Sequence, residues 1–255
     1  MKGVIVKDKF KNRNLVIYIP PSYVKYKAKI PVVYVQDKES LFDYNKYNIL
    51  EKLELMFKNK ALKEFLLVGI ESKKRIDEYT PWYSKSLVEK GEDFGGKGKE
   101  YLSFIVEELK IYIDGKYNTK KDKENTGIIG ASLGGLISLY AAYIYPNIFG
   151  KIGAISPSLW YEGFIDFMIE QDLQVLNNKI YMDVGSEEGL TKKNIQKFMV
   201  KRVQEGCRIL LSKGFVQGNL KLTLDNGAVH SKEAFVRRFP YALQWLFSID
   251  TVYDL

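Results

Sequence analysis

Short apolar runs recur along the chain and alternate with stretches whose apolar residues follow helical spacing. Such runs between polar stretches are typical of buried β-strands, and apolar spacings of three to four residues are typical of amphipathic helices. The pattern predicts strands over residues 3–7, 15–19, 31–36, 65–70, 126–129, 152–156, 179–184 and 220–224. It predicts helices over residues 47–58, 99–117, 136–145, 194–213 and 231–247, and Ser231 is a candidate cap for the last helix.

The predicted strands and helices alternate without an internal repeat or a linker. This order predicts one α/β domain over residues 1–255, with a doubly wound, mostly parallel sheet and helices on both faces. Ligands of such sheets bind outside the carboxyl ends of the strands, and candidate functional residues are expected there. The connection over residues 71–98 is long, polar and aromatic, as is typical of functional or mobile segments.

The composition is that of a globular protein, since 46% of the 255 residues are hydrophobic and 27% are charged. No apolar run reaches the roughly 18–20 residues of a membrane span. The apolar runs near the N-terminus are interrupted by charges, so no signal peptide is expected. The single Cys207 excludes an intramolecular disulfide, and together these features predict a cytoplasmic protein without a membrane partner.

The net charge is +8, but the basic residues are scattered and no nucleic-acid-binding module accompanies them. We therefore expect a solvated lysine-rich surface and no nucleic-acid partner, while an anionic substrate stays open. Residues 91–98 nearly spell a phosphate-binding loop, but Gly98 stands where a serine or threonine should bind magnesium. No nucleotide fingerprint and no cluster of cysteine and histidine is present, so neither a cofactor nor a metal is expected.

A G-x-S-x-G motif over residues 130–134 lies between a predicted strand and a predicted helix. A serine on such a sharp turn has strained backbone angles, and the residues two positions before and after it must be small. Gly130 and Gly134 meet that demand. The turn exposes the Ser132 hydroxyl at the N-terminus of the following helix, which favours developing negative charge. Ser132 is therefore a candidate nucleophile; the alternative is a glycine-rich loop that happens to contain a serine.

A serine nucleophile needs a base, and the chain contains one histidine, His230, in the loop after the last predicted strand. In hydrolases with this motif a carboxylate lies between the serine and the histidine in sequence and orients the imidazole. Glu188 is the first candidate because it lies in the loop after the next-to-last strand, and Glu187 is the second. Asp183 lies inside a predicted strand, and Asp225 lies close to the histidine loop.

An ester hydrolase also needs donors for the oxyanion of its tetrahedral intermediate. The first predicted donor is the backbone N–H of Leu133, which follows the candidate nucleophile. The second should come from the loop after the third strand, residues 37–40, where the Glu39 N–H is the first candidate.

The chain resembles the esterase family of the α/β-hydrolases, which includes enterochelin and bacillibactin esterases, esterase D and feruloyl esterases. The resemblance extends over nearly the whole chain, in family order, and is closest to intracellular siderophore trilactone hydrolases. It is carried by NLVIYIPPSY, PVVYVQDKESLFD, RIDEYTPW, GGKGKEYLSFIVEELKIYID, NTGIIGASLGGLISLYAAYIYPNIFG, SPSLWY, YMDVGSEEG and GAVHSKEAFVRRFPYALQWLF.

Residue by residue, the resemblance implies Ser132 as nucleophile, His230 as base and Glu188 as acid. The family usually has glycine after the aspartate of the oxyanion loop, whereas Asp37 is followed here by Lys38. This departure puts the second oxyanion donor in question and suggests Lys38 as a positive charge near the substrate entrance.

The family's RIDEYTPW-like segment contains Arg75, which the resemblance implies as a contact for an anionic or polar part of the substrate. The alternative is a surface ion pair with Asp77 or Glu78. Four aromatic residues are expected to flank the cleft and stack on an aromatic acyl group, unless they belong to the core. They are Trp82, Tyr83, Trp160 and Tyr161.

The sequence therefore predicts a serine carboxylic-ester hydrolase that acts through an acyl-enzyme. Its substrate is expected to be a small-molecule ester, and an anionic ferric siderophore of the trilactone type is the first hypothesis. A general or carbohydrate-linked acetyl or feruloyl esterase is the second hypothesis. A catalytically inactive hydrolase fold used as a binding protein is the third, and retention of the glycines, the serine and the histidine argues against it.

Overall fold

The structure is a computed structural model that describes residues 1–249. The strands are β1 (Val4–Phe10), β2 (Arg13–Ile19), β3 (Val32–Val35), β4 (Leu66–Ile70), β5 (Tyr83–Ser84), β6 (Phe94–Gly95), β7 (Thr126–Ala131), β8 (Lys151–Ile155), β9 (Lys179–Gly185) and β10 (Leu220–Asp225). The helices are α1 (Pro21–Tyr26), α2 (Ile49–Lys58), α3 (Arg75–Glu78), α4 (Gly98–Ser103), α5 (Lys110–Lys116), α6 (Leu133–Ile144), α7 (Phe164–Glu170), α8 (Met199–Ser212) and α9 (Lys232–Leu246).

Eight strands form one sheet in the order β1-β2-β4-β3-β7-β8-β9-β10, and β5 pairs with β6 in a separate short hairpin. In the eight-stranded sheet β2 is antiparallel to both of its neighbours, β1 and β4, and the other five pairs, from β4 along the sheet to β10, are parallel. The predicted doubly wound, mostly parallel sheet is thus confirmed. No helix within residues 1–249 is long and apolar enough to cross a membrane.

Each face of the sheet is covered by its own hydrophobic core. Ile128 belongs to the core beneath α4, α5, α6, α7 and α8, whereas its neighbour Ile129 belongs to the core beneath α2 and α9. Successive side chains of a strand point to opposite faces, so a strand covered on both faces must be apolar at every position. This explains the continuous apolar runs of the central strands, and why those runs could be read directly from the sequence.

The predicted helices correspond to α2, the α4–α5 region, α6, α8 and α9, with shifted ends. α4 and α5 are joined through a π-helical segment, Phe104–Leu109, into the one helix that the sequence predicts. A 3₁₀ turn, Ile195–Phe198, forms the start of the predicted helix 194–213, and α8 itself begins at Met199. As predicted, Ser231 caps α9 and accepts a hydrogen bond from the Ala234 N–H at 3.2 Å.

The loops that follow β3, β7, β8, β9 and β10 all leave the sheet at the carboxyl ends of parallel strands. They therefore meet at one edge of the sheet. The candidate nucleophile, the candidate base, both candidate acids and the predicted oxyanion loop lie in this group of loops.

Candidate active site

Ser132 lies at the sharp turn between β7 and α6, with φ 59° and ψ −121°. A Cβ at Gly130 would lie 2.5 Å from the carbonyl oxygen of Gly134, closer than real Cβ contacts. A Cβ at Gly134 would lie 3.1 Å from the Cβ of Gln36, a tight but less severe contact. Both glycines of the motif thus permit the close strand-to-helix crossing, and Gly130 is the stricter requirement.

His230 lies in the loop between β10 and α9 and contacts both the serine and a carboxylate. Its Nε2 is 3.0 Å from Ser132 Oγ, and its Nδ1 is 2.7 Å from Glu188 Oε2. An edge-to-face contact with Phe235, with ring centroids 4.7 Å apart, supports the other side of the imidazole. The three side chains that the sequence singled out are therefore brought together in the order serine, histidine, carboxylate.

Glu188 is almost completely buried, whereas Glu187 is exposed and its side chain makes no contact with the histidine. The second carboxylate oxygen of Glu188 accepts hydrogen bonds from the Ser156 hydroxyl at 2.5 Å and the Gly185 N–H at 2.8 Å. Burial alone raises the pKa of Glu188, but the hydrogen bonds from His230 and Ser156 outweigh it and lower the pKa below its ordinary value. Glu188 is therefore held ionised.

An ionised Glu188 accepts a hydrogen bond and cannot donate one, so Nδ1 of His230 carries the proton. In the neutral imidazole Nε2 then has a free lone pair and accepts the Ser132 hydroxyl proton across 3.0 Å. This arrangement can remove the proton of the serine and stabilise the resulting imidazolium.

Arg238 of α9 is a buried part of this site that sequence reasoning missed. Its guanidinium donates to Asp183 Oδ1 at 2.8 Å, to Ser156 Oγ at 2.8 Å and to Glu188 Oε1 at 3.1 Å. The sequence did contain a signal for Arg238, because it lies four residues from both Ala234 and Ala242, on the buried face of the same helix. A charge on the apolar stripe of a helix needs a buried partner.

The guanidinium of Arg238 cannot neutralise both Asp183 and Glu188, whereas the nearby Asp225 has a second partner in Arg237 at 2.7 Å. Arg238 faces Asp183 and Glu188, and its Nε is 3.6 Å from Asp225 Oδ2. Burial raises the pKa of Asp183 to about 7, against the opposing effect of Arg238. Asp183 thus holds a proton more tightly than Glu188, whose hydrogen bonds stabilise its charged form.

The predicted oxyanion loop, residues 37–40, begins with two successive left-handed residues, Asp37 (φ 59°) and Lys38 (φ 58°), and passes over β4. The Lys38 N–H donates to Ile70 O at 2.8 Å, and a Cβ at Gly69 would lie 2.4 Å from the Lys38 carbonyl oxygen. Lys38 therefore adopts the conformation for which glycine is favoured, at a cost in backbone strain.

Leu133 is the first residue of α6, and its N–H has no acceptor within the helix. Within residues 1–249 the Glu39 N–H donates to no acceptor, whereas the N–H groups of Lys38 and Ser40 are both used by backbone carbonyls. Glu39 thus stays the predicted second donor.

Arg75 pairs with Asp37 of the oxyanion loop, and the predicted alternative, an ion pair with Asp77 or Glu78, is wrong. Arg75 Nε and Nη2 lie 2.8 and 3.2 Å from the two carboxylate oxygens of Asp37. Nη2 also donates to Ala131 O at 3.3 Å, next to the nucleophile turn. Glu78 pairs instead with Arg13, at 2.6 Å. Arg75 thus links the oxyanion loop to the end of β7.

An open cleft of about 500 Å³ lies beside Ser132 and Leu133. Its walls come from α3, from the segment around the β5–β6 hairpin, from the turn after β8 and from the segment before α8. The lining residues besides these two are Arg75, Ile76, Ser86, Leu87, Val88, Gly91, Glu92, Phe94, Trp160, Asn194 and Gln196. Part of the long connection 71–98 thus forms a wall of the cleft.

Two of the predicted substrate contacts, Arg75 and Trp160, lie in the cleft wall, whereas Trp82 and Lys38 lie outside its lining. Trp82 donates from its indole N–H to Glu162 O at 2.9 Å and packs in an aromatic cluster. Sequence reasoning did not identify Asn194 and Gln196, because amide side chains in a polar segment carry no distinctive pattern.

The sheet order, the strained serine after β7 and the contacts of that serine together define an α/β-hydrolase. The chain belongs to the Esterase family, since the family model described as "Putative esterase" matches residues 10–246. It is therefore a carboxylic ester hydrolase, as the sequence predicted.

The uncharacterized protein YbbA of Bacillus subtilis (strain 168) is 42% identical over 247 residues, which are 97% of each chain. The enterobactin esterase Fes of Shigella flexneri, solved in the presence of enterobactin, has a TM-score of 0.71 at 15% identity. That match covers 96% of this chain and 59% of Fes. A ferulic acid esterase has a TM-score of 0.73 at 15% identity, over 97% of this chain and 99% of that chain. At such identities the two structures show a shared fold.

Proposed function

We propose that this protein is a serine esterase that works through an acyl-enzyme on Ser132. His230 takes the Ser132 proton and delivers it to the leaving alcohol, and Glu188 holds the imidazole and stabilises its charged form. The Leu133 and Glu39 N–H groups are the proposed oxyanion donors. The observation that carries the proposal is the continuous contact from Ser132 Oγ through His230 to Glu188, at 3.0 and 2.7 Å.

Labelling with a fluorophosphonate serine probe tests this mechanism. Wild type should be labelled, and Ser132→Ala and His230→Ala should not, although both should unfold thermally at nearly the wild-type temperature. Labelling of Ser132→Ala would contradict the assignment of the nucleophile. A well-folded wild type that resists the probe would favour the third hypothesis, an inactive hydrolase fold used as a binding protein.

As natural substrate we propose a siderophore ester of the trilactone type, hydrolysed in the cytoplasm. Fes, whose structure was solved in the presence of enterobactin, shares the fold, and part of the sequence is similar to a siderophore enterobactin esterase. The aromatic rings of Phe94 and Trp160 in the cleft wall suit a catechol-bearing acyl group. The net charge of +8 favours the approach of an anionic chelate.

The same aromatic wall suits a feruloyl group, so a feruloyl or other carbohydrate-linked ester is the second candidate substrate. Values of kcat/KM for ferric enterobactin, iron-free enterobactin, methyl ferulate and p-nitrophenyl acetate separate the candidates. The siderophore proposal expects the highest value for one of the enterobactin forms. A higher value for methyl ferulate would overturn it in favour of the second candidate, and equal values would indicate a general esterase.

A further inference from the structure

The turn after β8, Ser156-Pro157-Ser158, contacts both ends of the serine–histidine–glutamate array. Ser156 donates to Glu188, as described above, and Ser158 Oγ lies 3.2 Å from Ser132 Oγ. The Ser158 backbone N–H also donates to Ser132 O at 3.1 Å. Ser158 has 0% exposed surface, and among the described residues its hydroxyl has no hydrogen-bond partner besides the Ser132 oxygen.

The direction of the hydrogen bond between the two hydroxyls follows from the histidine. Because Nδ1 of His230 donates to Glu188, Nε2 accepts the single hydroxyl proton of Ser132. Ser132 then has no second proton to give to Ser158. The Ser158 hydroxyl is therefore the donor, and the Ser132 oxygen accepts through a lone pair.

We propose that Ser158 is a further catalytic residue, whose hydroxyl donates a hydrogen bond to the Ser132 oxygen while that oxygen attacks and leaves. This inference rests on the proposed serine mechanism and extends it. In acylation, Ser132 Oγ bonds to the ester carbon as its proton moves to His230 Nε2. The tetrahedral intermediate then loses the alcohol, which takes that proton.

In deacylation a water gives its proton to His230 and attacks the acyl carbon. The Ser132 oxygen leaves and takes the proton back from Nε2. Ser158 keeps its own proton in every step. Its donated hydrogen bond stabilises the negative charge that builds on Ser132 Oγ before attack and again during departure, and it also fixes the serine rotamer.

Two variants of opposite size change test the proposal: Ser158→Ala removes the hydroxyl, and Ser158→Cys replaces it with a larger, weaker donor. For both, kcat for p-nitrophenyl acetate and the first-order rate of fluorophosphonate inactivation should fall about 10- to 100-fold. KM and the thermal unfolding temperature should stay close to wild type. Ser138→Ala is the matched control, since the Ser138 hydroxyl is equally buried but donates to Gly134 O at 2.7 Å, and it should keep wild-type rates.

The proposal is overturned if either Ser158 variant folds and keeps both rates within twofold of wild type. A rate loss that comes with a raised KM and a lower unfolding temperature in both variants would also overturn it, because that pattern marks a purely structural role. Ser132→Ala distinguishes a failure of the Ser158 proposal from a failure of the serine mechanism on which it rests. If it is inactive while Ser158→Ala is fully active, only the role of Ser158 fails; if it retains full activity, the serine mechanism fails as well.

Discussion

Glu188 and Glu187 are adjacent carboxylates in the same loop, but the structure gives them opposite environments. Glu188→Gln removes the buried charge that fixes the His230 proton on Nδ1 and stabilises the imidazolium. We expect kcat to fall about 100- to 10,000-fold, as for an amide in place of a triad acid. Glu187→Gln changes an exposed side chain and should keep kcat within twofold of wild type. Steady-state kinetics on a p-nitrophenyl ester measure both, and a larger loss in Glu187→Gln would reverse the assignment.

Arg75 lines the cleft and also holds the oxyanion loop through Asp37, so its two possible roles need separating. Lysine cannot reproduce the two-oxygen contact of a guanidinium. We expect Arg75→Lys to lower kcat for neutral p-nitrophenyl acetate roughly 10- to 100-fold, because small displacements of catalytic donors are costly, and to leave KM unchanged. Arg13→Lys, which breaks a similar fork to Glu78, is the control and should keep kcat. A rise in KM confined to anionic esters would show direct substrate binding instead.

At the level of residues, the sequence identified those whose chemistry or spacing is unusual. Ser132 was marked by its flanking glycines, and His230 by being the only histidine. Arg238 and Ser158 were not identified, because their importance comes from contacts with residues distant in sequence. Trp82 was expected beside the substrate as an aromatic residue of the RIDEYTPW segment, and it lies outside the cleft lining.

At the level of elements, the crossing of β7 and α6 depends on Gly130. An alanine there would push its Cβ against the Gly134 carbonyl group, at 2.5 Å, and against the Gln36 side chain. We expect Gly130→Ala to lower the free energy of unfolding by about 1–3 kcal/mol, the range for overpacking. Gly115 lies in α5, where a Cβ would have no atom within 4 Å apart from those of its chain neighbours and of its own helix backbone. Gly115→Ala should instead raise the free energy by about 0.5–1 kcal/mol, through helix propensity. Urea unfolding compares the two, and equal effects would contradict the crossing argument.

The elements that the sequence predicted are those with strong local patterns. Central strands such as β3 and β7 are continuous apolar runs because both faces are covered, and α8 and α9 carry clear amphipathic periodicity. The short helices α1 and α7 were missed. α1 begins at Pro21, the second residue of the Pro20-Pro21 pair, which at the level of sequence predicts only the end of a strand. α7 is seven residues long, and its Phe164 and Phe167 pack against Trp82, so tertiary contacts stabilise it.

At the scale of the whole molecule, the network around Arg238 makes the stability depend on pH. The pKa of Asp183 is raised from 3.8 to about 7 in the folded protein by burial. Between these two values the folded state holds a proton that the unfolded chain has released. The free energy of unfolding therefore falls as the pH rises through this window, by at most about 1.4 kcal/mol per pH unit. The contribution of Asp183 to the slope fades about one pH unit below 3.8 and about one pH unit above 7.

Asp183→Asn removes the titrating group and retains a side chain of nearly the same size. The free energy of unfolding of wild type minus that of Asp183→Asn should therefore decrease from pH 4 to pH 7 and become level above pH 7. Titrating groups distant from Asp183 are common to both proteins and cancel in this difference, so that it reports on Asp183 and the groups coupled to it, above all Glu188. Asp172→Asn, the same change at a carboxylate that is 85% exposed, is the control for the replacement of a carboxylate by an amide. If the free energy of unfolding of wild type minus that of Asp183→Asn increased with pH, Asp183 would be ionised beside Arg238 in the folded protein. A proton retained in this network near neutral pH would then have to lie on another carboxylate.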